Sequence, residues 1–244
     1  NDLCSALEFP ASFFALDEDL VGFGSSAYYY RKKADLTALD RKRIHGVINL
    51  LRIHLKRMLT FVELAGKRKL PDLDIENYGG DPGNVARALR AFWSVPDGPV
   101  KNLTHLVESA GVLVIPCEFE TRAMDATSLR LAEMPPVIFM NKHVPGDRWR
   151  FTLAHELGHL VMHGVPHAEM EDEADAFAAE LLLPQSELRP QYSRLGDIRL
   201  QDLANLKPFW KVSVAALLHR ATELGFVHET KRRYMWSCMA KWGW

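Results

Sequence analysis

Arg150-Phe151-Thr152-Leu153-Ala154-His155-Glu156-Leu157-Gly158-His159-Leu160-Val161-Met162-His163 is the stretch on which the reading of this chain turns. Leu153, Leu157 and Leu160 recur at three and four residues, so the segment predicts an amphipathic helix. Residues four apart on a helix lie one above the other, which turns the ring nitrogens of His155 and His159 toward one point. Glu156 stands beside them as a base within reach of that point, and the three together read HExxH, the pattern of zinc hydrolases. A helix whose two histidines merely face water or a buried carboxylate carries the same letters. The sequence downstream therefore has to decide.

A catalytic zinc takes three protein ligands and keeps one position open. Gly164-Val165-Pro166 ends the first helix, and a second is expected from near His167 to Leu183, where Pro184 stops it. So short a connection makes the two helices antiparallel neighbours. His159 lies five residues before Gly164, and Glu171 lies five residues after Pro166. At a rise of about 1.5 Å per residue the two sit at matching heights, which makes Glu171 the third ligand. Asp175, one turn further on, is level with His155 and can accept that ring's other N–H. Glu169, Asp172 and Glu173 compete for these roles; Glu173 points about 200° away from Glu171 around the helix and is assigned to a solvated face. His163 is read as an imidazole favoured by a helix C-terminus.

The stretches RFTLAHELGHLVMH and MEDEADAFAAELLLP, with VIFMN at 137–141 and LVESAGVLVIPC at 106–117, resemble the ImmA/IrrE family of bacterial metallopeptidases. The likeness covers roughly the last two thirds of the chain; Asp175 stands where many relatives have asparagine. The resemblance implies an α+β, predominantly helical fold. Its zincin-like metallopeptidase core would hold a small β-sheet beside the HExxH helix, flanked by helical N- and C-terminal regions. It also implies a Zn2+ cofactor and a narrow protein substrate, typically a helix-turn-helix repressor. Cleavage of such a repressor switches genes for stress response, mobile elements or toxin–antitoxin control. A DNA-binding domain often precedes such a segment in the family, so contact with DNA through an upstream domain is a further expectation. A non-proteolytic, metal-containing transcriptional regulator or antitoxin-like module is the alternative.

The chain has 244 residues, 48% of them hydrophobic, and a formal net charge of −1, enough for a substantial core and no argument for any one partner. No apolar run approaches the length of a membrane span, the N-terminus lacks a secretory pattern, and Cys4, Cys117 and Cys238 form no CxxC pair. A cytoplasmic protein with reduced thiols is expected, Cys117 buried at a strand end. GxxxxGK[ST], GxGxxG and GxSxG are missing, which leaves nucleotide hydrolysis and serine chemistry without support.

Three regions are expected: a helical one over 1–100, the metallopeptidase core over 101–185, and a helical one over 186–244. Residues 1–30 are acidic and aromatic, an arm folded on the body or a docking face. Residues 31–69 carry twelve Lys or Arg against three acids. Within them Asp40 is expected to cap a helix that buries Ile44, Val47, Ile48, Leu51, Leu55, Met58, Leu59 and Val62, with His45, Asn49, Arg52 and Lys56 on the far side. That basic stripe suits either solvent or phosphates. Further on, helices are expected at 84–93 and 103–109, and strands at 112–116, 125–131 and 137–141. Asp147 is expected to cap the HExxH helix, and helices at 198–206 and 213–224 to flank a long apolar turn over 208–211. Tyr192, His143 and His167 are the candidates for stabilising an oxyanion.

Overall fold

The structure, a computed structural model, describes residues 2–7, 9–15, 37–64, 66–119, 121 and 124–242. Most of the aromatic arm and the first basic residues of the 31–69 segment lie outside the described residues. What is described of the arm is two short helices, α1 (Asp2–Leu7) and α2 (Ala11–Phe14). Phe9, Phe13 and Phe14 pack ring against ring at centroid separations of 4.4 to 6.5 Å, and no residue of α2 is buried.

A long helix, α3 (Ala38–Leu59), starts from a reciprocal cap: Thr37 Oγ1 accepts from the Asp40 amide, and the Asp40 carboxylate accepts from the Thr37 amide. Asp40 is therefore the third residue of the helix and not its cap, the arrangement of a capping box. The buried face also differs from expectation. Ile44 and Ile48 are fully buried, but so are Asn49 and Arg52 nearly, whereas Met58 and Val62 are 63% and 54% exposed. The buried row climbs in steps of four from Ile44 through Ile48 to Arg52. A guanidinium on a three-carbon stem can lie against apolar surface as leucine does, so composition alone leaves the register of such a helix open. Lys56 meets Glu133 at 2.9 Å. Neither Arg52 nor Lys56 is thus part of a free basic stripe.

Behind α3 lies a three-stranded sheet of β1 (Leu113–Cys117), β2 (Ala126–Leu131) and β3 (Met134–Asn141), in the order β1-β3-β2. β1 runs parallel to β3, Leu113 opposite Val137, and β2 runs antiparallel to it. Alternation divides the faces: Val137 and Phe139 join the cluster under α3 together with Cys117, while Val114, Ile138 and Met140 face the main core. The pairing slips between Leu129 and Leu131, where the partner strand carries Pro135 and Pro136, residues with no N–H for a regular ladder.

The main core is built on the other face by helices α4 (Pro82–Phe92), α5 (Leu103–Ser109), α6 (Gly146–Met162), α7 (Met170–Leu182), α8 (Gln185–Leu195), α9 (Leu200–Trp210), α10 (Val214–Glu223) and α11 (Glu229–Trp242). One hydrophobic cluster runs through them from Val85 to Met239. The fold is α+β and predominantly helical, with the small sheet packed beside α6. α9 does not end before Pro208 as expected. It continues through that residue to Trp210, which is fully buried and donates from Nε1 to Gln191, leaving three residues before α10, opened by Lys211 in the left-handed region. Burying the indole holds the last turn helical despite the N–H that proline removes. Among the described residues no helix is long and apolar enough to cross a membrane.

α7 is held at its far end by side chains from distant parts of the chain. Arg90 of α4 donates to the carbonyls of Leu181, Pro96 and Gly98, and Arg220 of α10 donates to that of Leu183. These guanidiniums satisfy carbonyls that a helix end leaves open and complement its dipole. Glu180, buried to 2% exposure, pairs with Arg220 and lies 3.0 Å from Arg87.

Candidate metal centre

α6 buries Leu153, Ala154, Leu157, Leu160 and Val161 in the core and thereby directs His155 and His159 toward α7. Its N-cap is Pro145, so Asp147 lies inside the first turn; its carboxylate accepts from the Arg148 amide and from Lys207 Nζ at 2.9 Å. Asp147 thus acts on the helix dipole, not as a cap, because the helix starts at Gly146. At the other end His163 leaves helical geometry (φ −108°, ψ 92°), its amide still donating to the His159 carbonyl. α7 then begins at Met170, later than expected, its first residue fully buried.

The two helices approach closely at Gly158. A methyl group there would stand 2.9 Å from Phe177 Cδ1 and 3.5 Å from Ala174 Cα. Only glycine fits, and the close approach is what brings Glu171 to the histidines. His155 Nε2 and His159 Nε2 are 3.0 Å apart, and each lies 3.7 Å from an oxygen of Glu171. The donor atoms of these three residues all fall within 4.8 Å of one another. A tetrahedral ion at bonds of about 2.0–2.1 Å spaces its ligand atoms about 3.3–3.4 Å apart. The observed separations bracket that value, and the donor set is the nitrogen and oxygen chemistry that zinc accepts.

Both rings present Nε2 because both Nδ1 atoms are engaged elsewhere. His155 Nδ1 is 2.7 Å from Asp175 Oδ1, and His159 Nδ1 is 2.7 Å from His163 Nδ1. Burial pulls the basicity of His155 down, but the bond to Asp175 and the charges of Glu156 and Glu171 outweigh it and leave the ring above its ordinary pKa. For His159, burial and the neighbouring His155, His163 and His167 all act downward, holding it well below. Glu156 is buried, 8% exposed, in the turn next to these rings.

The structure brings together His155, His159, Glu171 and Asp175 as the sequence predicts. Glu173 departs from its assigned solvated face: its side chain is 20% exposed, and Oε2 lies 2.9 Å from His163 Nε2 and 3.5 Å from His167 Nε2. The cause is the bend at His163, which carries that ring back over the first turn of α7. The available signal was His163 itself, four residues beyond His159 and so stacked on the same face. Of the oxyanion candidates, Tyr192 is fully buried, donates to the Leu217 carbonyl and is kept a phenol by desolvation, so it belongs to the core. His143 pairs at 3.2 Å with Glu118. His167 packs its ring 5.1 Å from that of His163.

Residues 107–222 match the peptidase family M78, described as an IrrE N-terminal-like domain. The segment belongs to the M78 peptidases. The match runs from α5 to α10 and so includes the whole sheet and the paired helices α6 and α7. No curated protein matches the chain. Over that segment the match supports a peptidase of the ImmA/IrrE type, a hydrolase acting on protein.

Proposed function

We propose that the chain is a zinc-dependent endopeptidase of the cytoplasm that cleaves one specific protein, of the class of helix-turn-helix transcriptional repressors. The observation that carries the zinc reading is the convergence of His155 Nε2, His159 Nε2 and a Glu171 oxygen on one point, with a buried carboxylate beside it. These three residues would hold the metal, and Asp175 would fix His155 as the Nε2 ligand by accepting its Nδ1–H. When bound, zinc supplies Lewis acidity toward the scissile carbonyl and lowers the pKa of water. Glu156 takes the proton of the attacking water and returns it to the departing amine. β2, an edge strand packed beside α6, offers its outer backbone edge to an extended substrate segment.

The repressor class rests on the family resemblance alone, and its cleavage would regulate stress-response, mobile-element or toxin–antitoxin genes. The rival reading, a metal-containing regulator without proteolysis, parts from this one at Glu156. Glu156→Gln should keep zinc and fold while hydrolysis falls about 10²- to 10⁴-fold, and the variant should trap the substrate in a pull-down. A regulator would work equally well with glutamine. If Glu156→Gln complements a deletion strain as fully as wild type does, and wild type cleaves no candidate repressor, the proteolytic proposal is wrong.

A further inference from the structure

Beyond His159, away from His155 and Glu171, lies a second row of polar groups between α6 and α7, its middle ring buried and its outer carboxylate half-buried. His159 Nδ1 faces His163 Nδ1 at 2.7 Å, and His163 Nε2 faces Glu173 Oε2 at 2.9 Å. The His163 side chain is only 1% exposed, so water does not substitute for either partner. A contact between two ring nitrogens holds one proton, and the question is which ring owns it.

Proton counting answers it. An ionised carboxylate only accepts, so His163 Nε2 carries the hydrogen it donates to Glu173. A neutral imidazole has one N–H, and a ring this deeply buried is disfavoured as a cation. His163 Nδ1 is therefore a bare lone pair that must accept, and the shared proton belongs to His159 Nδ1. That leaves His159 Nε2 as a lone pair directed at the point shared with His155 and Glu171. We infer that His163 and Glu173 form a two-step relay that sets the tautomer of His159, and that both are positioning residues for the metal centre. The inference rests on the ligand set proposed above. It gives the centre two braces of different length: Asp175 acts on His155 directly, and Glu173 acts on His159 through an intervening ring.

The same groups invite another reading, because the donor atoms of His163, His167 and Glu173 also lie within 4.8 Å of one another. A cation on His163 Nε2 would displace the hydrogen there and move that ring's proton to Nδ1. It would then confront His159 Nδ1, which would have to give up its own proton or shift it to Nε2, where the first metal binds. The two sites compete for one proton, and the 2.9 Å bond from His163 to Glu173 favours the relay.

The test combines zinc affinity by chelator competition with the ring ¹⁵N shifts of histidines in long-range ¹H–¹⁵N spectra. Wild type should bind one zinc, and His163 should show the Nε2–H pattern. Glu173→Ala should lose about 10- to 100-fold in zinc affinity, as losses behind a ligand usually do, with His163 no longer held in one tautomer. Glu173→Gln, which keeps an accepting oxygen, should recover most of the affinity; a bystander salt bridge would not be restored in this way. An Nδ1–H pattern for His163 in wild type overturns the relay without any variant being needed. So does a stoichiometry of two zincs with Glu173→Ala losing one at unchanged affinity for the other. If His155→Ala leaves zinc binding intact, the ligand set is what has failed, and the His163 spectrum still reports on the relay separately.

Discussion

Gly158→Ala tests the claim that close helix packing places the third ligand. The added carbon would meet Phe177 Cδ1 at 2.9 Å and Cγ at 3.3 Å, against an ordinary carbon contact of about 3.5–4.0 Å. Phe177 is fully buried and has no open side to turn toward, so α7 must move outward by about 0.6 Å or more. Overpacking of this kind costs about 1–3 kcal/mol, and replacing a helical glycine by alanine returns about 0.5–1 kcal/mol. A net loss of up to about 2.5 kcal/mol is expected in denaturant unfolding. The same displacement lengthens the 3.7 Å separations of Glu171 from both histidines, so zinc affinity should fall together with stability. Phe177→Leu in the Gly158→Ala background should restore part of both. A Gly158→Ala protein that is as stable as wild type and binds zinc as tightly would refute the packing argument.

Glu180→Ala should cost about 3 kcal/mol in chemical denaturation, since it takes a carboxylate buried to 2% exposure from the buried Arg220, which keeps Glu223 and the Leu183 carbonyl. Asp147 is held below its ordinary pKa of 3.8, chiefly by the hydrogen bond from Lys207. Its contribution is therefore fully present above pH 4 or so and fades as pH falls through the lowered folded value. Unfolding curves of Lys207→Met should lose that part of the acid dependence, a small effect that added salt shrinks. Burial pushes the Cys117 thiol up to about 12, so thiol reagents should modify Cys4 and Cys238 in the native protein and reach Cys117 only on unfolding, as mass spectrometry of labelled peptides would show.

The pairing of α6 with α7 was legible because a glycine-proline turn fixes a count, and a count fixes which residues share a height. His155, His159, Glu171 and Asp175 follow from that arithmetic. Glu173 did not, because Gly164-Val165-Pro166 ends the helix at His163 and that ring was assigned to the helix C-terminus instead of being paired with the facing helix. The strands at 112–116 and 137–141 were legible as short apolar runs between turns, although the latter starts earlier, at Met134; the one at 125–131 has no such run to mark it. The face of α3 was misread where arginine and asparagine occupy positions that an apolar pattern leaves to hydrophobic residues. Pro208 was read as a stop, whereas the burial of Trp210 two residues later carries the helix past it.

Arg90 donates to the Leu181 carbonyl at the end of the helix that carries Glu171, and to Pro96 and Gly98 in its own segment, which begins well before residue 107, where the M78 similarity starts. Val85, Leu89 and Trp93 of that same segment are part of the main core. The stretch that identifies the peptidase by descent and the stretch that must fold as a unit therefore have different borders. An excised 107–222 fragment would keep every proposed ligand and Arg220 but lose Arg90 and Arg87 from the end of the helix that carries Glu171, so a minimal catalytic module has to start upstream of residue 82.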